Sequence, residues 1–415
     1  MTRLSIFILS TVIWLVAACA GIDPAPTSRS LRPSPDATVA YLLVDLDSGA
    51  TVAAALQTTP MIPASTAKLA TAVAALDILG PNYRFVTRIR ATGKITDGVL
   101  DGDLYLIGGG DPLLSIQDLM ALAQQLHDRS LTKVTGRFVY DEAMIASSPE
   151  INPRQPLDAT YNAGVSALSL DFNRASRGDP AGRTASAFRQ IAGRLGLQLP
   201  PPEPGTTPPK THSLARLSSE TLVEVLRPAL EFSNNVVSEL IGRVAGRRLT
   251  GDRGKSAEAL TDWLKARNPK IDWRGLNLPN HSGLSERARM TPRQAVAVLR
   301  YGLARRYDGW GLLSLLPAAG WRESFAGRFS DQVTRGRVWA KTGTMHYAKG
   351  LLGVLFTEAG HRLAFALYVT DFSARAAYDA DPGRQAPASQ TRAFDWIDRA
   401  EAFEEDLVGS WIKVY

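Results

Sequence analysis

MIPASTAKLATAVAALDIL, residues 61–79, opens on a proline-bearing turn and runs into an apolar, alanine-rich segment. That composition predicts a buried helix over Ser65–Leu79. Ser65 and Lys68 are three apart, so a helix puts both on one face, one turn apart. A serine hydroxyl is a poor nucleophile until a base lies within hydrogen-bond reach. A lysine amine can be that base if burial or neighbouring cations lower its pKa, and Met61, Ile62 and Leu69 supply the apolar flank. Ser-x-x-Lys also arises by chance, and Ser130-Leu131-Thr132-Lys133 is a second copy. It follows Asp128 and Arg129 at the end of an amphipathic stretch and leads into a strand. It reads as a solvated connection without a catalytic role.

Two further strings lie downstream. Ser233-Asn234-Asn235 sits between two helical stretches. Its serine could relay a proton to a leaving amine, and the Asn235 amide could bond both a lysine and a substrate carbonyl. Alone, the string fits a loop or a helix N-cap equally well. Lys341-Thr342-Gly343-Thr344 follows the apolar Val338-Trp339-Ala340. On a strand, Lys341 and Gly343 point one way and Thr342 and Thr344 the other. Lys341 offers positive charge for a carboxylate, the threonines offer hydroxyls, and Gly343 permits close approach of a ligand backbone. Alone, this string also fits a strand end followed by a turn.

In this order the three strings match the S-x-x-K, S-D-N, K-T-G set of penicillin-binding proteins and class A β-lactamases. The chain resembles the class C low-molecular-mass penicillin-binding proteins, the DacB-type D-alanyl-D-alanine carboxypeptidase/endopeptidase family. Residues 102–112 (GDLYLIGGGDP), Ser166-Ala167-Leu168-Ser169 with Asn173, and Ser282-Gly283-Leu284-Ser285 carry the resemblance further. It spans roughly Val39 to Asp371. It implies that Ser65 is acylated, that Lys68 is the general base, and that Ser233 and Asn235 complete proton transfer and positioning. It implies that Lys341, Thr342 and Thr344 hold the substrate carboxylate, and that the backbone N–H groups of Ser65 and Thr344 form an oxyanion hole. The substrates implied are peptidoglycan stem peptides ending in D-Ala-D-Ala or cross-linked through meso-diaminopimelate, with β-lactams as acylating mimics. Two departures stand out: the interval from Lys68 to Ser233 is short for the family's two accessory domains, and one dipeptide differs. Asn280-His281 precedes Ser-Gly-Leu-Ser where the family usually has Asp-Gly, which alters either the floor of the site or only a loop.

The implied fold is α/β (α+β): a penicillin-binding-protein/β-lactamase-like transpeptidase domain interrupted by a smaller inserted α+β domain. Val39–Asp45 and Thr51–Leu56 read as strands around Asp47-Ser48-Gly49. From Phe85 the pattern changes to strands at 85–89, 103–107 and 133–140 and an amphipathic helix at 115–127. The proline-rich run at 199–209 reads as the stiff connector back. Helical patterns at 219–230 and 235–245, strands at 337–340, 350–356 and 362–369, and a helix at 390–408 complete the domain. The expected division is 37–84 with 210–415 for the catalytic domain and 85–209 for one accessory domain with a vestige of a second. That long interval favours a peptidase over a serine β-lactamase. A catalytically inactive cell-wall-binding lipoprotein is the third reading, and the intact motifs argue against it.

At the N-terminus, Arg3 precedes an apolar run from Leu4 to Ala18, which is short for a membrane span and suited to a signal peptide (1–18). The run ends in Val16-Ala17-Ala18-Cys19, which resembles a lipobox with Cys19 as the lipidated residue. The alternative is an ordinary signal in which Cys19 carries no lipid. Residues 19–36 read as a Pro/Ser-rich tether that reaches roughly 55 Å when extended. These features place the folded part in the periplasm, with the outer membrane favoured over the inner because Ala20, not Asp, follows the cysteine. The scattered basic residues behind the formal charge of +7 form no nucleic-acid patch. The five histidines and Cys19 form no metal set, Gly108-Gly109-Gly110 reads as a tight turn, His346 reads as a loop residue, and no cofactor is expected. Contact with a membrane would be through the lipid anchor only.

Overall fold

A computed structural model describes residues 32–156, 159–173, 178–321, 325 and 327–415. The expected signal peptide, Cys19 and most of the expected tether lie outside the described residues.

β1 (Thr38–Asp45) and β2 (Thr51–Ala55) form the expected hairpin. The Asp45 carboxylate accepts hydrogen bonds from the Ser48 amide and hydroxyl at 2.7 Å each, and Gly49 takes a left-handed φ of 75°, which glycine adopts at little cost. A 3₁₀ turn, Ala64–Ala67, leads into α1 (Lys68–Leu79). Every residue of α1 from Lys68 to Leu76 is buried, as its composition requires of a central helix.

The insertion follows: β3 (Val86–Ala91), β4 (Lys94–Thr96), β5 (Val99–Asp101), β6 (Leu104–Ile107), α2 (Ile116–His127), β7 (Lys133–Val134), β8 (Phe138–Asp141), α3 (Pro180–Arg194), β9 (Pro202–Pro204) and β10 (His212–Ser218). Its strands make one sheet in the order β10-β3-β6-β8-β9 and a smaller one in the order β4-β5-β7. Both sheets share a single core with α2 and α3, which includes Ile89, Leu100, Leu119, Phe138 and Phe188.

The chain then returns through α4 (Leu222–Glu231), α5 (Asn235–Thr250), α6 (Ser256–Arg267) and α7 (Pro292–Leu303). The last elements are β11 (Val338–Met345), β12 (Ala348–Phe356), β13 (Arg362–Thr370), α8 (Phe372–Ala380) and α9 (Pro387–Val414). The sheet outside the insertion runs β11-β12-β13-β1-β2, antiparallel throughout. Helices cover both faces. One core joins α1, α4, α5 and α7 to the sheet, and the other lies under α9, around Trp396 and Trp411. β11 is left at the edge, beside the start of α1. Gly343 makes that approach possible, because a Cβ there would lie 2.7 Å from the Pro63 carbonyl oxygen. The neighbour it admits in the folded chain is the turn that carries Ser65.

Three boundaries differ from expectation. The proline-rich run is not a connector outside the insertion: Pro202–Pro204 is β9, parallel to β8 at the sheet edge, where a missing N–H is tolerated. β10 then pairs with β3. The neck closes where Ser219 and Phe85 exchange hydrogen bonds at 2.9 and 3.0 Å, beyond the expected return at 209. Secondly, the middle of the insertion does not stay in it. Ile145, Val165 and Ala167 join the core that contains α1 and α5. Thirdly, the tether ends before 36. The Pro33 carbonyl accepts from Arg399 at 2.9 Å and the Ser34 hydroxyl donates to Asp371 at 2.6 Å, so these residues are fastened to α9 and the start of α8.

Candidate active site

Ser65 lies in the 3₁₀ turn that feeds α1, and Lys68 is the first residue of the helix proper. Their spacing brings Lys68 Nζ within 2.7 Å of Ser65 Oγ. The same nitrogen lies 2.6 Å from Asn235 Oδ1 and 2.8 Å from the Ser282 carbonyl oxygen. Lys68 is buried, and desolvation followed by the nearby Lys341 charge pushes its pKa well below the usual lysine range, while Glu239 pulls the other way. A neutral amine has two N–H donors and one lone pair. Two carbonyl acceptors take the donors, and the lone pair faces the Ser65 hydroxyl.

Each partner is held in turn. Asn234, the middle of Ser-Asn-Asn, caps α5 by accepting from the Val237 amide at 3.1 Å, so the N-cap reading is right for that residue. Capping fixes its neighbours. Asn235 opens the helix and donates through Nδ2 to the Tyr161 carbonyl at 2.8 Å. Ser233 takes a left-handed φ of 55°, a strained conformation for serine that recurs at functional sites. The Ser282 carbonyl is aimed by Glu239, which accepts from the His281 and Ser282 amides at 3.0 and 2.9 Å. Gly283 has φ 76°, and a Cβ there would fall 1.9 Å from the Ala64 carbonyl oxygen, so the Ser-Gly-Leu-Ser turn packs directly behind the turn that carries Ser65.

His281 is buried behind this wall, not in the cleft. Its ring sits where a side chain at Gly242 would clash, 2.1 Å from a built Cβ, and Nε2 lies 2.9 Å from Ser256 Oγ. Burial pushes its pKa down to about 4. Its carbonyl accepts from Thr71 of α1 at 2.8 Å. The Asn280-His281 departure is thus accommodated by Gly242, and the Lys68 contacts are complete beside it.

On β11, Lys341 is fully buried and its Nζ donates to the Thr342 carbonyl at 2.8 Å. Desolvation, then the Lys349 charge, pushes its pKa down to about 7. Thr342 and Thr344 line the cleft. The outer edge of β11 is used at its start, where Ala340 donates to the Pro317 carbonyl at 3.1 Å. Backbone groups alternate along a strand, so the N–H groups of Thr342 and Thr344 lie on that same edge. Beyond Ala340 the edge opens onto a cleft of about 600 Å³ lined by Ser65, Ser233, Asn235, Thr342 and Thr344.

The other walls were not read from the sequence. Tyr161 and Gln155 belong to the segment that returns from the insertion, and His346, Arg375, Gln390 and Phe394 come from the β11–β12 turn, α8 and α9. Arg384 closes one end by donating to the Arg154 carbonyl at 2.5 Å. The returning segment is knit by Asn173, which donates to the Gly164 carbonyl at 2.7 Å and to Ser169 Oγ at 2.9 Å. His346 is a wall residue, its ring 4.5 Å from Tyr378, and burial pushes its pKa down to about 4.

A profile of the D-Ala-D-Ala carboxypeptidase 3 (S13) family matches residues 28–186 and 203–388. The chain belongs to this family. It is a serine-type DD-peptidase that acts on peptidoglycan. A carboxypeptidase of Mycobacterium tuberculosis is 30% identical over 338 residues, covering 75% of this chain and 71% of that one. Penicillin-binding protein 4 (DacB) of Haemophilus influenzae superposes with a TM-score of 0.79 at 19% identity, covering 93% of this chain and 98% of that one; it has also been solved with a β-lactam bound. A predatory endopeptidase of Bdellovibrio bacteriovorus, solved with an immunity protein, gives a TM-score of 0.61 at 18% identity, covering 91% and 93%. The shared fold is the penicillin-recognising one that the three motifs implied.

Proposed function

We propose that Ser65 is the residue acylated by the substrate. The Ser65 proton passes to the Lys68 amine as Oγ bonds to the penultimate D-Ala carbonyl. The oxyanion is met by the backbone N–H groups of Ser65 and Thr344. The C–N bond then breaks, and a proton reaches the departing amine by way of Ser233. Water attacks the ester, restoring Ser65 and releasing the shortened peptide. Lys341, Thr342 and Thr344 hold the substrate carboxylate. The observation that carries this reading is the Lys68 environment: two carbonyl acceptors for its N–H groups, and Ser65 Oγ 2.7 Å away for its lone pair.

The departing amine is D-Ala in carboxypeptidase action and a cross-linked diaminopimelate in endopeptidase action, and the acyl-side machinery serves both. β-Lactams acylate the same serine. The apolar N-terminal run and Cys19 support secretion to the periplasm and lipid anchoring, with the outer membrane favoured. Globomycin-sensitive processing with incorporation of labelled fatty acid tests the anchor, and a Cys19→Ser chain that still takes up the label counts against it. For the chemistry, an N-acylated D-Ala-D-Ala peptide should release D-Ala, and penicillin should leave a long-lived adduct. Rapid penicillin turnover without D-Ala release would point to a β-lactamase instead.

A further inference from the structure

β12 reads AKGLLGVLF, and its lysine interrupts an otherwise apolar strand. Lys349 is 1% exposed. A buried ammonium is costly unless an opposite charge and hydrogen bonds hold it. Its Nζ donates to Glu401 Oε1 at 2.5 Å and to Thr344 Oγ1 at 2.6 Å. Lys349 and Thr344 are direct cross-strand partners, so their side chains share one face. Glu401 follows Gln390, Phe394 and Ile397 along the stripe of α9 that lines the cleft. Behind it, Arg328 lies 3.8 Å from Glu401 and pairs with Glu404 and Glu405 at 2.9 and 2.8 Å. A chain of charge therefore runs from the interior to one hydroxyl on the cleft.

The direction of the last bond decides what that hydroxyl can do. An ammonium has no lone pair and only donates. The Thr344 oxygen accepts there, so its single proton is directed away from Lys349, towards the cleft. We propose that Lys349, anchored by Glu401, is a positioning and specificity residue that fixes Thr344 as a hydrogen-bond donor to the free carboxylate of the substrate's terminal residue. Lys341 serves the same carboxylate from the opposite face of β11, so two buried lysines flank the edge strand. The inference rests on the reading of Thr344 as a carboxylate-binding residue.

The test is steady-state kinetics on an N-acylated D-Ala-D-Ala peptide and on its C-terminal amide. Thr344→Val, Lys349→Met and the double variant are compared. Thr344→Val should raise KM for the free acid about tenfold and hardly change it for the amide. Lys349→Met should do the same with kcat within about twofold, and should add nothing in the Thr344→Val background. Lys349→Met/Glu401→Gln leaves no unpaired ion, and should fold and show the same loss of acid-over-amide selectivity. If Thr344→Val leaves KM for the acid unchanged, the carboxylate reading of β11 fails. If Thr344→Val raises it but both Lys349 variants do not, or if those variants raise acid and amide equally, the role of Lys349 is overturned while the strand reading stands.

Discussion

Ser65 and Ser130 each stand three residues before a lysine, and the molecule treats them in opposite ways. Ser65 sits on a turn continuous with α1, and helical geometry brings Lys68 to 2.7 Å inside a buried wall. Ser130 lies in the turn that follows α2, with a φ of 58°, and its amide donates to the His127 carbonyl at 2.7 Å. The chain then enters β7, with Lys133 exposed. The spacing is the same, but only one backbone converts it into contact, and only one lysine is stripped of water. What separates the pairs is environment: two carbonyl oxygens that hold the Lys68 amine beside Ser65, and burial that pushes its pKa down.

That contrast can be broken in graded ways. Lys68→Met should slow acylation by penicillin by about 10³-fold, whereas Lys133→Met should leave the stopped-flow rate unchanged. The next effect is on KM. Lys341 is protonated below about pH 7 and loses its charge above it, so KM for the free-acid peptide should rise as pH increases past 7. KM for the amide should stay flat, and a flat acid profile would remove Lys341 from carboxylate binding. Glu239→Gln keeps an acceptor for the 281–282 amides but removes the charge that favours protonated Lys68. Lys68 would then lose its proton more readily, so the acid limb of the acylation profile should move to lower pH. Movement to higher pH would contradict the account. The smallest effect concerns two glycines. Ala at Gly283 would meet the Ala64 carbonyl oxygen at 1.9 Å, and Ala at Gly98 the Ser130 carbonyl oxygen at 2.6 Å, both at positive φ. Each should cost about 2 kcal/mol in denaturant melts, but only Gly283→Ala should also slow labelling of the folded protein.

Much of this was legible in the sequence because it rests on local pattern. The β1–β2 hairpin follows from an apolar run and a Gly turn, α1 from an alanine-rich apolar stretch, and the late strands from runs broken at Glu358-Ala359-Gly360. Ser65, Lys68, Ser233, Asn235, Thr342 and Thr344 converge because their motifs occupy fixed places on those elements. What escaped depends on distant partners. Prolines 202 and 204 suggest a linker until β8 offers them an edge. Tyr161 reaches the cleft only because the insertion sends a segment back. Lys349 has no periodic signature, and its one sequence signal, a charge inside AKGLLGVLF, gains meaning only when Glu401 and Thr344 are beside it. From the sequence, Asn280-His281 alters either the floor of the site or only a loop; the space left by Gly242, 39 positions earlier in the chain, places His281 behind the wall instead.

The central claim is that Ser65 is the nucleophile and that its twin motif is inert. Intact-mass analysis after exposure to penicillin, on the native protein, Ser65→Ala and Ser130→Ala, tests it directly. The account predicts one stable adduct on the native protein and on Ser130→Ala, mapping to the peptide that contains Ser65, and none on Ser65→Ala. An adduct that survives Ser65→Ala, or a native protein that takes up no penicillin, would contradict it.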